Sequence, residues 1–241
     1  MILILLAAQA ATISPEQTRF DNCAALAETT PDRALEEAGN WRLAGGGVLA
    51  RQCEGMAYVT QKRWLPATVA FEAAAKEADV KADGRAATLW VQAGNAALAG
   101  NQPDKALPYF DAAIARNTLI GDALGEAHLD RARGRAALGD LKGARVDLDL
   151  ATTYVPADPL GWLLSATLAR KMGDLSRAQA DIEQAAERSP DDASVALEAG
   201  TIAILSGRDD AARTAWEAAV KLAPNSPAGK SASESLARLG N

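Results

Sequence analysis

Residues 156–190 read PADPLGWLLSATLARKMGDLSRAQADIEQAAERSP, and residues 190–224 read PDDASVALEAGTIAILSGRDDAARTAWEAAVKLAP. Pro156, Pro190 and Pro224 stand 34 residues apart, and the interior keeps the same period: Ala178 with Ala212, Ile182 with Trp216, Ala185 with Ala219. Each unit holds two amphipathic stretches of helical period, parted by a turn at Met172-Gly173-Asp174 or Ser206-Gly207-Arg208. The proline closing each unit falls where it cannot continue the second helix. Asp and Ser follow it, the residues that start the next helix. The unit is a helix–turn–helix repeated along the chain.

Upstream, the second-helix signature of alanine, large apolar residue, alanine recurs as Ala67–Phe71–Ala74, Ala106–Phe110–Ala113 and Ala144–Leu148–Ala151. First-helix landmarks appear as Gly55 with Tyr58, Trp90 with Gly94, Trp162 with Ala166 and Gly200 with Ala203, and Trp64 takes the aromatic place after the first turn. Small residues let paired helices approach closely, and the large residue fills the space between them. A single pair leaves an apolar face bare until the next pair covers it.

These five units resemble the tetratricopeptide repeat (TPR) family, in an exported bacterial form, over most of the chain. The resemblance implies an all-α fold: a right-handed α-solenoid of about five TPR-like helix pairs with an N-terminal helical hairpin and a C-terminal capping helix. It implies a partner lying against the concave face of the first helices. The matching column contains Gln52, Met56, Val91, Asn95, Leu129, Arg133, Leu163, Thr167, Leu197 and Thr201, with Arg170 and Lys171 at its edge. Aliphatic and polar groups alternate there, which suits an extended peptide or a partner's helix. The Lys/Asn/Arg set with which some TPR modules clamp a C-terminal carboxylate is missing. The bland alternative is a solvated, lightly apolar strip.

The spacing departs from the repeat in two places. From Ala67 to Ala106 is 39 residues and from Ala106 to Ala144 is 38. An excess near one helical turn keeps the apolar face in register if it lengthens a helix, so longer helices are expected around Ala78–Ala87 and Asn117–Glu126. In the unit starting near Gly125, Arg131 and Arg135 occupy core-like places. Asp147 or Asp149 from the partner helix is expected to meet one of them as a partly buried ion pair.

The flanks read as caps. Residues 1–10 carry the apolar run Ile2–Ala8 and a small-x-small site at Ala8-Gln9-Ala10, the pattern of a signal peptide cleaved after Ala10. No Lys or Arg precedes the run, and a frayed apolar start to the first helix is the other reading. Residues 11–45 form an N-terminal helical cap with two helical patterns split at Thr30-Pro31-Asp32, residues 46–224 the repeat array, and residues 225–241 a C-terminal capping helix. In an exported chain, Cys23 and Cys53 form a candidate disulfide between neighbouring antiparallel helices. Two ordinary buried thiols are the alternative.

Composition narrows the function. The 241 residues carry 25 Lys+Arg against 31 Asp+Glu, for a net charge of −6, and 56 alanines supply about half of the 49% hydrophobic fraction. An acidic chain does not suit nucleic acid. No later stretch approaches the run of about 18 apolar residues that a membrane span needs. No metal, cofactor or catalytic set is expected: His128 is the only imidazole, two Cys with one His make no zinc site, and no nucleophile-elbow, phosphate-loop or dinucleotide motif occurs. Four of the five tryptophans fall on repeat landmarks and read as core, leaving Trp41 in the cap as the least constrained. The expected function is a non-catalytic scaffold for a protein or peptide partner in the cell envelope, periplasmic or otherwise secreted. The alternatives are a self-associating assembly subunit, its homo-oligomeric state open, and, less favoured, an accessory role in cell-wall or glycan processing.

Overall fold

The turns between the first and second helix of each repeat share one backbone device. Lys62, Asn101, Gly139, Gly173 and Gly207 all hold positive φ, between 55° and 83°, and each is the middle residue of a three-residue turn between helices. Glycine enters this region without cost, whereas a side chain opposes it. Side-chain caps start the helices that follow: Asp140 and Asp174 accept from the amides of Gly143 and Arg177, while Asp158 and Asp192 accept from those of Leu160 and Ser194. Pro31, Pro103, Pro159 and Pro227 each open a helix, at the position where a missing N–H costs nothing.

The computed structural model describes residues 14–240, so the apolar start and its signal-peptide reading lie outside the described residues. Among the described residues the chain is helical throughout and forms two compact units, the first ending at Gly100 and the second starting at Asn101. The first contains α1 (Pro15–Thr29), α2 (Pro31–Leu43), α3 (Gly47–Thr60), α4 (Trp64–Val80) and α5 (Ala86–Ala99). The second contains α6 (Pro103–Ala115), α7 (Gly121–Ala137), α8 (Leu141–Tyr154), α9 (Pro159–Lys171), α10 (Leu175–Arg188), α11 (Ala193–Leu205), α12 (Asp209–Leu222) and α13 (Pro227–Leu239). Within each unit the helices pack mainly on their sequence neighbours, except that α1 packs more closely on α3 than on α2.

Every residue of the five alanine–large–alanine sets is buried, none more than 5% exposed. The first helix yields space to the large residue. A Cβ added at Gly55 would meet the Phe71 ring at 2.6 Å, and one added at Gly200 would meet Trp216 at 2.4 Å. The extra residues of the longer spacings go mostly into helices, since α4 and α7 reach 17 residues where α10 has 14 and α9 has 13. The lengthening is not continuous across the expected stretches, because turns at residues 81–85 and 116–120 interrupt them, with Ala82 and Asn117 at positive φ.

Trp41 departs from the sequence expectation. It is 3% exposed, packs with Leu49, Ala50 and Phe20, and carries the Arg19 guanidinium 5.0 Å from its ring centroid. The supposedly unconstrained tryptophan is a core residue of the first unit.

Candidate functional site

In the first unit a disulfide joins Cys23 of α1 to Cys53 of α3, with Cα atoms 6.0 Å apart. It links two helices separated by α2, not a successive antiparallel pair. Both sulfurs lie in a fully buried cluster with Ala34, Ala38 and Ala57, where methyl groups leave room for the bridge.

The bridge sets the end of α1 beside α3, and there the unit opens an apolar cavity of about 430 Å³. Phe71 and Ala96 are its buried floor, and Met56, Val59 and Trp64 are its walls. Ala27 and Glu28 close it from α1; Thr60, Gln92, Asn95 and Ala99 complete the rim. Gln92 is held from the side, its Oε1 accepting from Gln52 Nε2 at 3.2 Å. Asn95 is exposed at the mouth, and its amide has no side-chain hydrogen bond among the described residues. The size lies within the range of ligand pockets, and the few polar groups on an apolar lining fit binding better than chemistry.

The second unit buries a few charged residues in its interior, Asp147, Asp181 and Glu198 among them. Asp147 of α8 is 0% exposed. Its carboxylate accepts from Arg131 (Nη2 at 2.6 Å, Nε at 2.9 Å) and from Arg135 Nη1 at 2.8 Å, and it bonds His128 Nδ1 at 2.9 Å. Arg131 also reaches Asp111 at 2.8 Å, and the His128 ring stacks on Tyr154. Burial pushes the Asp147 carboxyl up, but hydrogen bonds from His128 and Arg131 and the charges of Arg131 and Arg135 outweigh it, holding it below the usual carboxylate value. One repeat later Asp181 takes the matching place, accepting from the Ser165 hydroxyl and from Arg177 Nε at 3.3 Å. Asp149 pairs with Arg145 at 2.9 Å and with Arg177. Burial lowers the pKa of Arg145, the neighbouring Asp149 opposing this.

Within each unit the side chains of the expected concave column differ in exposure and in partners. Asn95 lines the cavity of the first unit. Leu129 is 7% exposed and packs in the core cluster with Ala132, Leu148 and Leu168. Arg170 is not free at an edge either: its Nε and Nη2 bond the Glu198 carboxylate at 2.6 and 3.2 Å, tying α9 to α11. Arg133 is exposed and pairs with Asp130 at 3.0 Å. It shares a small cleft of about 80 Å³ with Thr167 and Lys171. Leu163 is half-buried against the Ile182 cluster, and Leu197 packs near Trp216. Thr201 donates to the Leu197 carbonyl at 2.9 Å and lines a shallow recess with Trp216, Arg238 and Leu239.

Glu28, Val59, Thr60, Gln92 and Ala99 line the cavity without a repeat or column signature in the sequence, and Trp64 carries only the signature of a core landmark. The signal was present in the cysteine pair. Ala27 lies four residues after Cys23 and Met56 three after Cys53, so bridging the two brings the end of α1 to the Met56 wall.

A family model described as tetratricopeptide repeat matches residues 91–159 and 163–227. No protein of curated function matches the sequence. Among solved structures, the chain is similar to PilW, titled a widely conserved type IV pilus biogenesis factor, at 19% identity and a TM-score of 0.74, covering 89% of this chain and 96% of that one. It is similar to pilF of Pseudomonas aeruginosa at 14% identity and a TM-score of 0.72, covering 92% and 100%. YrrB, titled a TPR protein with an unusual peptide-binding site, matches at 17% identity and a TM-score of 0.60, covering 86% and 99%. The fold class is accordingly the all-α solenoid of TPR-like helix pairs.

Proposed function

Starting from a chain that belongs to the tetratricopeptide repeat family, we propose a non-catalytic scaffold that holds a peptide or protein partner in the cavity of its first unit. The observation that carries this reading is the open apolar cavity of about 430 Å³ between α1, α3, α4 and α5, with exposed Asn95 and half-fixed Gln92 at its rim. An apolar concavity with a few placed amides anchors a side chain and hydrogen-bonds the backbone beside it. The groups best suited to acid–base or nucleophilic work are committed elsewhere. The one imidazole is buried against Asp147, and both thiols are in the bridge.

The compartment we infer is the cell envelope, periplasmic or otherwise secreted. The support is the apolar run Ile2–Ala8 together with a cysteine pair in bridging geometry, which persists in oxidising surroundings. Among the described residues no helix is long and apolar enough to cross a membrane.

Site-specific photocrosslinking tests the assignment. Benzoylphenylalanine at Ala99 captures the partner, whereas the same group at exposed Lys76 of α4 does not. Equal yields from the two positions would move the site away from the cavity.

A further inference from the structure

The cavity carries one charge. Of the side chains that line it, only Glu28 is ionisable. It is exposed at the last turn of α1, and no basic side chain among the described residues pairs with it. Two acidic groups that follow it on α2 are occupied: Asp32 accepts from Gln61 at 2.7 Å, and Glu37 pairs with Arg19 at 2.7 Å. The walls add a second selective element. Met56 is an adaptable thioether, and the half-buried Trp64 offers an aromatic face to an apolar side chain or to the stem and head of a cation. A carboxylate left at the mouth of an apolar cavity attracts partners that bring the opposite charge and repels those that bring its own.

We propose that this cavity is a receptor for a bulky apolar side chain flanked by Lys or Arg in a partner peptide, with Glu28 reading the basic neighbour. The inference rests on the assignment of the cavity as the partner site. The apolar anchor fills the space between Phe71, Val59 and Met56. The flanking cation sits at Glu28, and Asn95 takes a backbone hydrogen bond on the opposite rim. An acidic neighbour meets like charge at the same place.

The test uses the full oxidised chain and a panel of labelled, acetylated and amidated nonapeptides. Each has Leu, Met, Phe or Trp at the centre and Lys, Ser or Glu on both sides, and binding is read by fluorescence anisotropy at low salt. Lys-flanked peptides are expected to bind about tenfold tighter than their Glu-flanked counterparts. The difference shrinks as salt is raised. Glu28→Lys inverts the preference and Glu28→Gln abolishes it. Equal affinity for Lys and Glu flanks, or a preference that survives Glu28→Lys, overturns the inference while leaving the cavity as a side-chain site. Absence of binding by every peptide, or binding untouched when Ala99→Trp fills the mouth, overturns the cavity assignment and the inference together.

Discussion

Asp147 on α8 has no exposed surface, and Arg131 on α7 closes on it with two hydrogen bonds, at 2.6 and 2.9 Å. This contact fixes the register between the two helices, because Arg135 and His128 converge on the same carboxylate from successive turns of α7. Removing the carboxylate strands two guanidinium groups against a core. Asp147→Asn is expected to cost about 3–5 kcal/mol, read as a lower urea midpoint. A loss below about 1 kcal/mol would show that the cluster relaxes to solvent without consequence.

The same carboxylate gives acid sensitivity. Its native pKa lies below the ordinary value, because the hydrogen bonds and cations around it outweigh its burial. Its contribution is therefore complete above the unfolded-state pKa of about 3.9 and fades as pH falls from there through the native value. Glu77 is lowered in the same direction, chiefly by its hydrogen bond from Lys81, and Asp83 chiefly by that from Arg85. Urea midpoints of the wild type and Asp147→Asn are expected to differ at pH 5 and to converge as pH falls below ~4. Parallel curves down to pH 3 would count against it.

The turn positions offer a gain. Lys62 is exposed and holds φ at 55°, where the later repeats have glycine at Gly139, Gly173 and Gly207. Lys62→Gly removes the left-handed penalty of a side chain and is expected to stabilise the first unit by up to about 1 kcal/mol, net of the added freedom of the unfolded chain. A rise in thermal midpoint is the readout, and a fall would mean that the lysine side chain contributes more than its backbone costs.

The parts of this architecture that were readable are those with a local chemical cause. Ala–large–Ala recurs because two helices can approach only where methyl groups face each other, so the sets at Phe71, Phe110, Leu148, Ile182 and Trp216 announce their own burial. Arg131 and Arg135 at core-like places demand a counter-charge, and Asp147 was within reach of the reading. What escaped depends on relations between distant helices. Leu129 packs against Ala132, Leu148 and Leu168, a placement set by how α8 and α9 lie on α7 and not by the period of α7 itself. Arg170 finds Glu198 two helices away, a distance no periodicity encodes. The cavity needs the end of α1 placed against α3, and helical pattern alone leaves α1 unplaced.

That placement hangs on Cys23 and Cys53, and the last prediction concerns it. The bridge closes a separation of 30 residues, which corresponds to about 3–4 kcal/mol of chain entropy removed from the unfolded state. It also lies one helical turn from Ala27, the neighbour of Glu28, on one side and from Met56 on the other. Repeat units draw stability from near neighbours, so reduction should act locally. Reductant, or the Cys23→Ala/Cys53→Ala pair, is expected to lower the urea midpoint and to speed amide exchange in α1 and α2. The amides of α11 and α12 should keep their protection. Peptide affinity should fall with it, since the α1 wall of the cavity, Glu28 included, is then held without its covalent tie, by the packing of Phe20 and Leu26 and the Arg19–Glu37 pair. Two reactive thiols in unfolded, unreduced protein would show that no bridge forms. Unchanged exchange in α1 on reduction would show that packing alone holds the wall.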